Sequence, residues 1–88
     1  MTSNMTRKEK LIKRFLTRPK DFTWDELVLL LSFFQFSEVS TGKTGGSGRR
    51  FINEEGLVIS LHKPHPKKIL KKYQIEQVMD ILEQEGLL

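Results

Sequence analysis

The chain has 88 residues, enough for one small domain and too few for two. Apolar residues make up 38% and charged residues 30%, a composition unlike a disordered tail, and with no cysteine there can be no disulfide framework, thiolate zinc site or cysteine nucleophile. The net charge of +4 is unevenly spread: from Thr41 to Lys72 eight basic residues stand against two acids, so this stretch carries +6 and the rest sums to −2. A basic middle on a slightly acidic chain suggests an anionic partner, with nucleic acid the commonest.

Met1 to Lys10 is polar and lacks an apolar signal core, so nothing points to export and a cytoplasmic protein is the default expectation. Thr6 and Glu9 have the spacing of a capping box, and Leu11, Ile12, Phe15 and Leu16 follow as an apolar stripe at helical spacing. Arg18-Pro19 ends this helix, because the residue before proline is pushed out of the α region. Thr23 and Glu26 repeat the signature and open a second helix through Trp24, Leu27, Val28, Leu30 and Leu31. That helix is apolar nearly all round, which places it at the centre of the core. The apolar run Leu27 to Phe36 is interrupted by Ser32 and Gln35 and is about half the length of a membrane span.

The period then changes. Phe34, Phe36 and their neighbours through Val39 are rich in strand formers, as are Arg50-Phe51-Ile52 and Leu57 to Leu61. Asn53-Glu54-Glu55-Gly56 joins the last two as a hairpin loop whose final glycine suits positive φ. Leu57, Ile59 and Leu61 share one face of their strand. A third helix runs from Lys71 to Glu85, with Ile75, Val78, Met79 and Leu82 as its buried stripe and Gly86 as its stop. The order predicts an α+β fold: a three-stranded antiparallel sheet with the second and third helices on one face.

Gly42-Lys43-Thr44 invites a phosphate-loop reading, but Ser37 stands where that motif needs its first glycine, and no helix follows the lysine. Two readings of the loop 40–48 remain: a glycine loop that brings backbone N–H groups and Lys43 to phosphates, or a simple connection between strands. Lys67, Lys68, Lys71 and Lys72 crowd the start of the third helix, while Glu76, Asp80, Glu83 and Glu85 lie toward its end. This opposes the helix macrodipole, at about 0.3–1 kcal/mol per group. It makes sense if the helix start holds a phosphate, against the alternative of a solvated lysine cluster. His62 and His65 flank Lys63-Pro64. No third histidine or cysteine completes a metal site, whereas a histidine near several lysines suits general acid–base work.

Trp24-Asp25-Glu26-Leu27 through Leu31, Gly46-Ser47 before a strand, Pro64-His65, and Leu70-Lys71-Lys72 opening the last helix together resemble the HicA (YcfA-like) toxins, small ribonucleases of bacterial toxin–antitoxin pairs. The resemblance covers Thr23 to Leu88 and divides the chain into an N-terminal helical extension, residues 1–22, and a HicA-like RNA-binding domain, residues 23–88. It implies a double-stranded-RNA-binding-like α-β-β-β-α fold with an extra N-terminal helix. It also implies cleavage of messenger RNA with no metal or other cofactor, no membrane partner, and neutralisation by a HicB-type antitoxin.

In that family a histidine after Gly-Ser acts on the ribose 2′-hydroxyl, and here Gly48 holds its position. One reading transfers the proton role to His65, with Arg49 and Arg50 positioning the phosphate and stabilising its developing charge. The other is a catalytically impaired module of the same fold that binds RNA or a protein partner. The candidate catalytic residues are therefore His65 and Arg49. The candidate RNA contacts are Lys43, Ser47, Arg49, Arg50, Lys63, Lys67, Lys68, Lys71 and Lys72.

Overall fold

The computed structural model describes residues 5–40 and 48–88. Its elements are α1 (Arg7–Leu16), α2 (Trp24–Ser32), β1 (Ser37–Ser40), β2 (Gly48–Ile52), β3 (Val58–His62) and α3 (Lys72–Gln84). This is the α+β order expected, an α-β-β-β-α unit preceded by a helix. Both capping boxes form. The Thr6 hydroxyl accepts from the Glu9 N–H at 3.1 Å while the Glu9 carboxylate accepts from the Thr6 N–H at 2.9 Å. Thr23 and Glu26 repeat these bonds at the same two lengths. Arg18 leaves the right-handed region by taking φ 53, and its N–H donates to the Phe15 carbonyl at 3.0 Å.

One boundary differs from the sequence reading. Phe34 and Phe36, taken as the start of the first strand, belong instead to the turns that close α2. The N–H groups of Phe33, Phe34 and Phe36 all donate back to helix carbonyls between Leu29 and Leu31, and Gln35 bends the chain at φ 68. Short apolar runs carry no decisive period, so the unfilled carbonyls at the helix end settle the matter. The first strand starts at Ser37.

The sheet is antiparallel in the order β1-β2-β3. Phe51 of β2 pairs with Ile59 of β3, both are fully buried, and Leu61 joins them two residues along. These side chains share one core with Trp24, Leu27, Leu30 and Leu31 of α2 and Ile75, Val78, Met79 and Leu82 of α3. Both helices thus cover one face of the sheet. On the other face Val39 and Val58 are 38% and 49% exposed, so that face is open.

Helix α1 packs against α2. Leu11 and Phe15 enter the common core, and the Phe15 and Phe22 rings lie 5.4 Å apart. Arg14 clamps the pair from outside. Its Nε donates to the Glu26 carboxylate at 3.0 Å, and its Nη2 reaches Asp21 Oδ1 at 3.1 Å. A further ion pair, Arg18 to Glu76 at 3.4 Å, ties the end of α1 to α3.

Candidate functional site

The hairpin fixes what faces what. Asn53 Oδ1 accepts from the N–H groups of Glu55 and Leu57 at 3.0 and 2.9 Å, and Gly56 takes φ 85. The resulting register pairs Gly48 with His62, Arg49 with Leu61, and Arg50 with Ser60. Directly paired residues project from the same face, and successive residues alternate. Since Phe51 and Ile59 point to the core, Gly48, Arg50, Ser60 and His62 lie on the open face. A depression at this end of the sheet is lined by Gly48, Arg49, Arg50, Ser60, Leu61 and His62.

Arg49 and Arg50 are neighbours in sequence but belong to opposite faces. Arg49 sits on the helix-covered side, where its Nε pairs with Glu38 Oε2 at 3.5 Å and its Nη1 donates to the Gly48 carbonyl at 3.0 Å. Arg50 stands exposed on the open side. Both nevertheless line the depression at this end of the sheet.

Beyond β3 the chain runs back toward the start of α2, where it is pinned. The Trp24 N–H donates to the Lys68 carbonyl and the Leu70 N–H to the Phe22 carbonyl, each at 2.8 Å, around a bridge between Thr23 and Ile69. A second depression forms here, lined by Pro64, His65, Pro66, Lys67, Ile69, Leu70 and Lys71. His65 is therefore grouped with two lysines, not with the arginines. Lys72 lies in another depression, with Arg18 and Lys20. Lys68 is exposed, and Lys63 Nζ sits 6.0 Å above the Trp24 ring. The structure thus splits the lysine cluster of the sequence between two sides of the α3 start.

Lys71 is the N-cap of α3, in extended conformation and without a side-chain cap bond. A lysine has no side-chain oxygen, so it cannot cap the helix as Thr6 and Thr23 cap theirs, and the Gln74 N–H donates instead to the Lys71 carbonyl at 3.0 Å. Gln74 supplies the other half of a capping box, its Oε1 accepting from the Lys71 N–H at 3.0 Å. Its Nε2 donates to the His62 carbonyl at 2.8 Å, and the residue is 3% exposed. Gln77 bonds the Ser60 carbonyl in the same manner at 3.3 Å. The sequence reading missed Gln74, although the spacing from Lys71 to Gln74 is that of a capping box with the wrong first residue.

Lys43 and Ser47, also singled out from the sequence, lie outside the described residues. Among the described residues no cluster of three or more His, Asp or Glu could hold a metal ion. No helix among them is long and apolar enough to cross a membrane.

A family model described as the HicA toxin of bacterial toxin–antitoxin systems matches residues 24–87, from the first residue of α2 to beyond α3. No curated protein and no solved structure matches the chain.

Proposed function

The chain belongs to the HicA toxin family, and on that premise we propose that it is a metal-independent endoribonuclease that binds and cleaves messenger RNA. Membership makes it the toxin of a toxin–antitoxin pair and gives it an antitoxin partner; the partner in this reading is of the HicB type and covers the cationic depressions. The observation that carries the reading is the pairing of a histidine with cations in each depression: His62 with Arg50 on the sheet, His65 with Lys67 and Lys71 before α3. Metal-free RNA cleavage needs a group that moves the 2′-hydroxyl proton and a cation facing the phosphate, and both types are present.

Lys63, Lys67, Lys68, Lys71 and Lys72 would hold the backbone, with Arg50 on the sheet; Lys43 and Ser47 are further candidate contacts from the sequence. A-form RNA is then read through phosphates and 2′-hydroxyls rather than base edges. Residues 23–88 carry this activity, and within the N-terminal extension 1–22 it is α1 that braces α2. His65, which falls where the family often has a histidine, and Arg49 serve as phosphate-side groups of two separate depressions. The protein works in the cytoplasm, where messenger RNA is.

Gly48 favours a second reading, a binding module of the same fold that no longer cuts. Incubating the purified protein with a long messenger RNA in EDTA separates the two. Cleavage is expected; intact RNA with salt-sensitive gel shifts would replace the ribonuclease with the binding module.

A further inference from the structure

We infer that His62, rather than His65, carries the proton in RNA cleavage, with Arg50 as the cation facing the reacting phosphate; the inference rests on the ribonuclease reading above. The two residues stand on the same open face and two rungs apart on the β2–β3 ladder, since His62 pairs with Gly48 and Arg50 with Ser60, with the Arg49–Leu61 rung between them facing the other way. The carbonyls of Ser60 and His62 are taken by Gln77 and Gln74 of α3, so these residues turn their backbone away from β2. Their rungs are thus of the non-hydrogen-bonded kind, in which the paired Cα atoms are about 4.5 Å apart and side chains stand closest.

His62 and Arg50 both line the depression at this end of the sheet, which can take a ribose and its phosphate, with Arg50 reaching diagonally across a backbone separation of about 7–8 Å. A phosphate fits between an imidazole and a guanidinium at that spacing, because the arginine side chain is long enough to close on it. His62 is also held from behind: the 2.8 Å bond from Gln74, itself 3% exposed, fixes the backbone that carries the imidazole. Arg49 already faces Glu38 across the helix-covered side. His65 lines the lysine depression, which suits it to the phosphate next along the strand.

In the step itself, the His62 imidazole takes the proton of the ribose 2′-hydroxyl as the 2′ oxygen attacks the adjacent phosphorus. The bond from phosphorus to the 2′ oxygen forms and the bond to the 5′ oxygen breaks. The imidazolium returns its proton to the departing 5′ oxygen, leaving a 2′,3′-cyclic phosphate and a 5′-hydroxyl. Arg50 meets the negative charge that builds on the non-bridging oxygens. Protons and electron pairs balance with no added reactant.

The test is single-turnover cleavage of a labelled RNA in EDTA by the wild type and by His62→Ala, His62→Gln, Arg50→Ala and His65→Ala, with gel shifts on the same RNA and a circular-dichroism melt of each variant. Both His62 variants should slow cleavage by about 100-fold or more while RNA affinity stays near the wild-type value, and added imidazole should restore part of the His62→Ala rate. A 2′-O-methyl RNA should bind and stay intact. His62→Ala cutting at the wild-type rate, or losing affinity as far as rate, would overturn the assignment while the ribonuclease reading stands. Loss of cleavage in His65→Ala alone would return the proton to His65. A folded wild type that binds RNA and never cuts it would remove the ribonuclease reading itself, and this role with it.

Discussion

Replacing Lys67 and Lys71 with alanine removes the two ammonium groups that line the depression beside His65. Both lysines are exposed, so the native state loses little packing and folding stability stays within about 0.5 kcal/mol. Each lysine that meets a phosphate releases condensed counterions, at about 0.7 per contact for single strands and 0.9 for duplex. Two contacts fewer make the plot of log K against log salt shallower by about 1.4–1.8. Between 1 M salt, where this contribution vanishes, and 0.1 M there is one decade, so affinity at 0.1 M falls roughly 25- to 60-fold, about 2–2.5 kcal/mol. Fluorescence anisotropy of a labelled RNA across a salt series reads both quantities. Adding Lys68→Ala and Lys72→Ala raises the loss of slope to at most about 2.8–3.6, and Lys72 contributes from the separate depression it shares with Arg18 and Lys20. A double variant with the wild-type slope would show that phosphates do not lie at the start of α3.

Three further predictions concern the scaffold. Phe15 is fully buried and its ring packs at a tilt against that of Phe22, so Phe15→Ala should cost about 3–5 kcal/mol in urea unfolding followed by Trp24 fluorescence; a cost under about 1 kcal/mol would mean that α1 is a dispensable appendage. Gln35 is an exposed residue at φ 68, a conformation that favours glycine, and Gln35→Gly should raise stability by about 0.5–1 kcal/mol and the Tm by roughly 2–8 °C. An unchanged or lower Tm would show that the side chain contributes more than the backbone strain costs. Finally, the hydrogen bond from Arg14, helped by the Thr23 N–H, holds the Glu26 carboxyl below its ordinary value of 4.5. A carboxyl depressed in the folded state contributes stability that is complete above that value and is lost as pH falls through the lowered one. The Tm of Glu26→Gln should therefore fall less steeply than the wild type below about pH 4.5, and parallel acid limbs would refute the linkage.

What could be read from the sequence was mostly local. Thr6 with Glu9, Thr23 with Glu26, and Asn53 through Gly56 act within one turn of chain, so their spacing alone announces two helix starts and a hairpin. The aromatic run before β1 was misplaced because a few apolar residues fit either period, and only the open carbonyls of α2 decide between them. The site was less legible for a different reason. That Arg49 and Arg50 face opposite ways follows from strand alternation once Phe51 is known to be buried, but that both still line one depression at the end of the sheet does not. The pairing of His62 with Gly48 needs the hairpin register, and Gln74 reaches His62 across 12 residues of sequence. Neither relation leaves a mark in a window of neighbouring residues.

Under the proposed ribonuclease reading, that long-range glutamine also explains how two depressions would serve one substrate. An RNA backbone that meets a cation at the helix start must reach the sheet in a fixed number of nucleotides, so the distance between the two places has to be constant. A loop holding only lysines would not keep it, because their side chains are long and their backbone bonds are few. Here the loop is fastened at one end to residues 22–24 by two 2.8 Å bonds, and at the other Gln74 grips the Lys71 N–H and the His62 carbonyl at once. Buried, with both amide atoms bonded, it makes the start of α3 and the end of β3 a single rigid piece. Under the proposed ribonuclease reading, the positive charge that would attract the strand and the imidazole that would act on it are positioned by one side chain, and neither carries the cost of ordering the other when RNA arrives.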